Sequence, residues 1–142
     1  TATTDVPDAG ASGLVLQLDR SPPRVRLWQW GTLRFDDAAI RKGQLEVRQK
    51  GLKELILPGT FLKEPGQWNL VEVFSVGRQV VYRINGQVAG AVANLRQTNA
   101  DGQESPVERG GIDLGAGTGT TFFRLIALRP ILGLPPDFPD SP

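Results

Sequence analysis

The sequence predicts an all-β domain, a sandwich of two antiparallel sheets. Apolar residues alternate with polar ones at period two through most of the chain, turn signals recur at short intervals, and no stretch carries the 3.6-residue apolar period of an amphipathic helix. At 142 residues the chain is long enough to bury one hydrophobic core without metal or disulfide staples.

Leu14, Leu16 and Leu18 alternate with Val15, Gln17 and Asp19, and Pro22-Pro23 then forces a turn, because proline cannot extend a strand ladder. Val25 and Leu27 face one way while Arg26, Trp28 and Trp30 face the other. Gly31 marks a bend before Leu33 and Phe35. Asp36-Asp37-Ala38-Ala39-Ile40 has room for a single helical turn at most. Ile40 to Arg48 reads as one strand, with Leu45 and Val47 inward and Glu46 and Arg48 outward. Glu54 to Leu57 is a short strand closed by Pro58-Gly59. Trp68 to Val76 and Arg78 to Ile84 form the clearest unit, joined at Gly77 and ended by Asn85-Gly86, a strong hairpin signal that returns the chain into Gln87 to Val92. Trp68 is expected to pack inward and Asn69 to cap a turn. Asn94 to Gly111 is polar and glycine-containing and reads as a long surface loop. Ile112 to Leu114 and Thr121 to Leu128 supply closing strands.

Eight to ten short strands favour a sandwich or jelly roll over a barrel. The expected organisation is a loosely held N-terminal segment over 1–12, the sandwich over 13–130, and a proline-rich tail over 131–142.

Composition narrows the chemistry. Cysteine and histidine are both absent, which removes disulfides, a thiolate nucleophile, sulfur ligands and the commonest general base near neutral pH. Sixteen basic residues stand against fifteen acidic ones and are scattered, so nucleic acid is not an expected partner. No apolar run approaches the roughly 18 residues that span a bilayer, and Thr1 to Gly13 lacks the basic and apolar regions of a signal peptide. Methionine is absent too, so the chain is expected to begin after a natural start, as a processed protein or excised domain would.

Arg26, Trp28 and Trp30 are the leading candidate site. Aromatic residues on one face of a strand make a flat apolar platform on which sugar C–H faces stack, while a guanidinium donates to hydroxyls. The plainer alternative is that one or both indoles fill the core. Gln17, Asp19, Arg34, Glu46 and Arg48 are the polar side chains that could supply hydrogen bonds beside it; the plainer reading of each alone is solvated surface. Glycoside hydrolysis needs two carboxylates roughly 5 to 9 Å apart. Glu46, Glu72 and Asp113 lie on expected strands, but their spacing singles out no pair. Gln97, Asn99, Asp101, Gly102 and Glu108 fall at EF-hand spacing, which makes Asn99, Asp101 and Glu108 a weak calcium candidate. Gln97 stands where an Asp is usual, Pro106 interrupts the run, and a polar turn is the plainer reading. Gly115-Ala116-Gly117-Thr118-Gly119 lacks the Lys-Ser/Thr of a phosphate loop and reads as a flexible turn.

The second half carries an ordered set of landmarks: Gly66-Gln67-Trp68-Asn69, a hydrophobic strand, Tyr82-Arg83-Ile84-Asn85-Gly86, Gly111-Ile112-Asp113-Leu114, and Phe122-Phe123-Arg124-Leu125-Ile126-Ala127-Leu128. Over about residues 66–130, and more loosely over Ser12 to Leu18, this order resembles the 3-keto-disaccharide hydrolase domain family. The resemblance implies a concanavalin A-like jelly-roll sandwich, as in lectins and glucanases, and a sugar-facing role. That family's Q-D-H-G-like segment is replaced here by Gly115 to Gly119, so its activity does not carry over with the fold. The sequence therefore favours a carbohydrate-binding or interaction module, extracytoplasmic and without a cofactor, whose partner is a glycan or another protein domain. The alternatives are a glycoside hydrolase or lyase acting on sugars, and a structural accessory domain that mediates protein contacts.

Overall fold

The fold is that of a computed structural model, which describes residues 13–20, 23–107, 122–135 and 138. Nine strands are present among them: β1 (Gly13–Arg20), β2 (Pro23–Trp30), β3 (Leu33–Arg41), β4 (Gln44–Leu52), β5 (Glu54–Pro58), β6 (Val71–Val76), β7 (Gln79–Ile84), β8 (Gln87–Thr98) and β9 (Glu104–Pro106). They form two antiparallel sheets, one of three strands in the order β1-β2-β5 and one in the order β4-β3-β8-β7-β6, with β9 beside the end of β8. A single short 3-10 turn, Gly59–Phe61, follows β5. The expected two-sheet antiparallel sandwich is what the chain forms.

The alternation of β1 and β2 turns Leu14, Leu16, Val25 and Leu27 toward the larger sheet. There they meet Phe35, Val80, Tyr82, Ile84, Val92 and Leu95, and Leu27, Val25, Phe35, Ile84 and Val92 are completely buried. Gly90 lies beneath Leu57 so closely that a Cβ there would come within 2.9 Å of Leu57 Cδ1, which is how the sheets approach at that point. The other face of the larger sheet is apolar as well. Ala38, Ile40, Val81, Val88, Ala91 and Ala93 line it, and Leu134 and Phe138 cover part of it. Phe138 meets Phe74 edge-to-face at 4.9 Å, and the Arg83 guanidinium lies over both rings. So residues within the stretch expected as a tail are docked onto the sheet.

Burial of Tyr82 pushes its phenol pKa upward, leaving the hydroxyl neutral in the core.

Turn chemistry explains the hairpins. Asn85 and Gly86 both take positive φ, 51° and 82°, between the paired ends Ile84 and Gln87, as a two-residue primed turn requires. Asn85 does more: its amide nitrogen donates to Phe61 O and Asn69 Oδ1, and its own Oδ1 accepts from Leu70 N. Asn69 Oδ1 also accepts from Lys63 N, so the two asparagines tie the approach to β6 against the β7–β8 turn.

Several expected elements are corrected. Ile40 to Arg48 is not one strand: Lys42 and Gly43, at φ 52° and 77°, reverse the chain between β3 and β4. Val47, expected inward, is exposed because β4 is the sheet edge. Asp36 to Ile40 is buried strand rather than a helical turn. Within the expected loop, Asn94 to Thr98 continue β8 and Glu104 to Pro106 form β9, leaving a short turn closed by hydrogen bonds from Asn99 N to Gln103 O and Gly102 N to Asn99 O. Trp68 precedes β6 and is 45% exposed, with the Arg124 guanidinium 3.9 Å from its ring centroid. Phe122 to Leu128 is not in a strand, and the expected strand Ile112–Leu114 lies outside the described residues.

Candidate functional site

The register of the small sheet assembles the site. Val15 opposes Trp28, Gln17 opposes Arg26 and Asp19 opposes Arg24 across β1 and β2, while Glu54 opposes Trp28 and Ile56 opposes Arg26 across β2 and β5. Opposed residues share a face, so all of these project away from the core, together with Trp30. The outer face of the three-stranded sheet is thus a band of arginines, indoles and hydrogen-bonding groups, with Ile56 more than half exposed beside it.

Trp28 and Trp30 are both half-buried and stand on the same face, as their spacing predicts. Their rings meet edge-on, with centroids 5.6 Å apart and planes inclined by 66°. The pair is a corner, not the flat platform the spacing evokes. Trp30 lies down over Gly13, where a Cβ would come within 2.8 Å of the indole, so the missing side chain makes its seat. Its Nε1 is buried without a hydrogen-bond partner. Trp28 is held differently. Its Nε1 donates to Gln17 Oε1 at 3.0 Å, Gln17 Nε2 donates to Asp19 Oδ1 at 2.7 Å, and Arg24 Nε donates to Asp19 Oδ2 at 2.8 Å. The bonds from Arg24 and Gln17 hold the Asp19 carboxyl below its usual range. Arg26 sits 5.8 Å from the Trp28 centroid and bonds Glu54 through Nε. Trp28 is therefore flanked by a cation on one side and a second indole on the other.

The remaining candidates lie elsewhere. Arg48 is on β4 of the other sheet, paired with Asp37 at 3.1 Å, and does not join the indoles. Arg34 donates to Leu33 O, and Glu46 is exposed on the β4 edge. Glu72 accepts two bonds from Arg83, at 2.9 Å each, which hold its carboxyl below the ordinary range and ill-suited to donate a proton. Asp113 and Glu108 lie outside the described residues. Asn99 Nδ2 donates to Ser105 Oγ and Asp101 Oδ1 accepts from Gln103 N, so both side chains are engaged in the turn. Among the described residues no cluster of three carboxylates, cysteines or histidines exists that could hold a metal ion.

One polar cluster escaped the sequence reading. Asp36, buried in β3, accepts hydrogen bonds from Asn94 Nδ2, Gly51 N and Arg96 Nη1. Arg96 also pairs with Glu104 at 2.6 Å, linking β3, β4, β8 and β9. Burial alone would raise the Asp36 pKa, and these donors outweigh it, so the carboxyl is held low. Asn94 reaches Asp36 from a bulge, at φ 54°, where two β8 residues, Asn94 and Leu95, stand against the single β3 residue Phe35 between the pairs Arg34–Arg96 and Asp36–Ala93. Only that positive φ, which asparagine tolerates, signals the position in sequence.

No helix among the described residues is long and apolar enough to cross a membrane. No family model matches the chain, and comparisons with curated proteins and with solved structures find no match either.

Proposed function

We propose that this chain is a non-catalytic carbohydrate-binding module of extracytoplasmic proteins, with the outer face of the three-stranded sheet as its binding surface. The observation that carries the reading is the Arg26–Trp28–Trp30 row: two half-buried indoles at an angle, with a guanidinium against one of them and Gln17 at its rim. A pyranose ring placed in that corner stacks its C–H face on one indole and meets the edge of the other, while Arg26 and Gln17 donate to hydroxyls. Each contact is modest, so a single site of this kind binds weakly, and several copies bind strongly only through avidity. The concanavalin A-like jelly roll implied by the sequence resemblance belongs to the same proposal.

Glycan-array binding by the chain, with Trp28→Ala and Trp30→Ala as controls, tests the reading. Binding to a defined set of oligosaccharides that both variants lose is the expected result. Signal that survives both substitutions removes this surface from consideration, and turnover of a keto-disaccharide or simple glycoside contradicts the non-catalytic assignment.

A further inference from the structure

Among the described residues the small sheet ends in the edge strands β1 and β5 and the large one in β4 and β6, while the three-residue β9, paired with β8 alone, ends in proline. Strand edges invite pairing with other chains unless charge, proline, brevity or a bulge blunts them. Edge β5 is five residues long and ends in proline. Edge β4 carries exposed Glu46, Arg48 and Lys50, and its pairing with β3 shifts register twice. On β1 Leu14, Val15 and Leu16 are at least half-buried, and the one exposed apolar side chain, Leu18 at 39%, is followed by the charged Asp19.

Among the described residues, β6 has none of these guards. It runs Val-Glu-Val-Phe-Ser-Val with unbroken register against β7, and Arg83 neutralises its only charge, Glu72, across the strand pair. Val71 and Val73 oppose Ile84 and Tyr82 and so point to the core side, yet they remain 38% and 54% exposed because the small sheet does not cover them. Next to them lies a second apolar group. Arg124 stacks on Trp68 just before β6, and Leu125, Ile126 and Leu128 beyond it are 92%, 69% and 86% exposed.

We propose that β6 pairs antiparallel with β6 of a second copy of this chain, joining the two large sheets edge to edge. A two-fold axis through the sheet keeps each residue's face, so opposed residues must share parity along the strand. A register centred on Val73 places Val73 against its own copy and Val71 against Ser75, with Glu72 opposite Phe74. Centring on Glu72 instead would oppose two carboxylates, which disfavours it. The Val73 register gathers the four exposed valines, Val71 and Val73 of each copy, into one apolar strip. The interface lies on the other sheet from Trp28, so it stands independently of the ligand assignment.

Sedimentation velocity over a concentration series, on the wild type and on Val73→Lys, tests this. The expected result is a concentration-dependent dimer whose dissociation constant rises by at least about tenfold in Val73→Lys, since two ammonium groups then face each other. Ser75→Lys on the same face should act alike, which guards against a folding defect in one variant, and Val47→Lys on the guarded β4 edge should leave the dimer intact. A wild type that stays monomeric throughout, or a dimer that survives Val73→Lys and Ser75→Lys, overturns the proposal. So does a dimer lost only in Leu125→Asp, which would assign the contact to the C-terminal segment.

Discussion

Asp36 and Asp19 are both held ionised by arginine and amide donors, but one lies inside the large sheet and the other on the outer face of the small one. Around Asp36 the donors come from the two strands that flank its own, β4 and β8, and the residue is 3% exposed, so little solvent can replace a lost partner. Around Asp19 the partners come from two adjacent strands and remain open to water. The difference separates two uses of the same chemistry. A closed, buried network fixes register and resists change, whereas an open one positions side chains that can still exchange their partners for a ligand's hydroxyls.

That contrast makes graded predictions. Replacing Asp36 by Ala removes the buried acceptor that Gly51 N, Asn94 and Arg96 share and should cost about 3 kcal/mol of unfolding free energy in urea titration. Loss of less than about 1 kcal/mol would erase the distinction, because that is the range expected of an exposed pair. Acid should separate the two sites next. Both carboxyls have folded pKa values below their unfolded ones, so their stabilisation is complete above the unfolded value of about 4 and disappears as pH falls through the folded value. The fall in stability below about pH 4 should therefore flatten clearly in Asp36→Asn, and only slightly in Asp19→Asn, whose partners are screened by solvent. The smallest effect belongs to Gln17→Ala: less than about 1 kcal/mol in stability, with a shift in Trp28 emission as its indole N–H loses its acceptor. A larger stability loss at Gln17 than at Asp36 would invert the comparison.

Much of this was legible in sequence because it is local. The period-two pattern of β2 places Arg26, Trp28 and Trp30 on one face, and Asn85-Gly86 announces its hairpin through the positive φ that both residues tolerate. Lys42-Gly43 was missed for the opposite reason, since lysine has no preference for the left-handed region that its turn requires. Asp36-Asp37 resembles a helix start or turn when read alone. Its acceptors are satisfied by Asn94 and Arg96, 58 and 60 residues away, and no short-range pattern reveals such partners. The indole corner was half visible: spacing fixes the face, but ring inclination depends on Gly13 leaving a seat for Trp30 across the strand pair. Trp68 misled because its alternation continues that of β6, although the strand itself begins only at Val71.

The chain has three tryptophans, and two of them form the proposed site. With Trp68 replaced by Phe, indole emission reports on Trp28 and Trp30 alone. Titration of that protein with an oligosaccharide identified on the array should give a saturable change in intensity or wavelength, abolished by Arg26→Ala in a variant whose urea unfolding midpoint is essentially unchanged. Oligosaccharide binding seen by calorimetry with no change in that emission would contradict the assignment of the outer face of the small sheet as the binding surface.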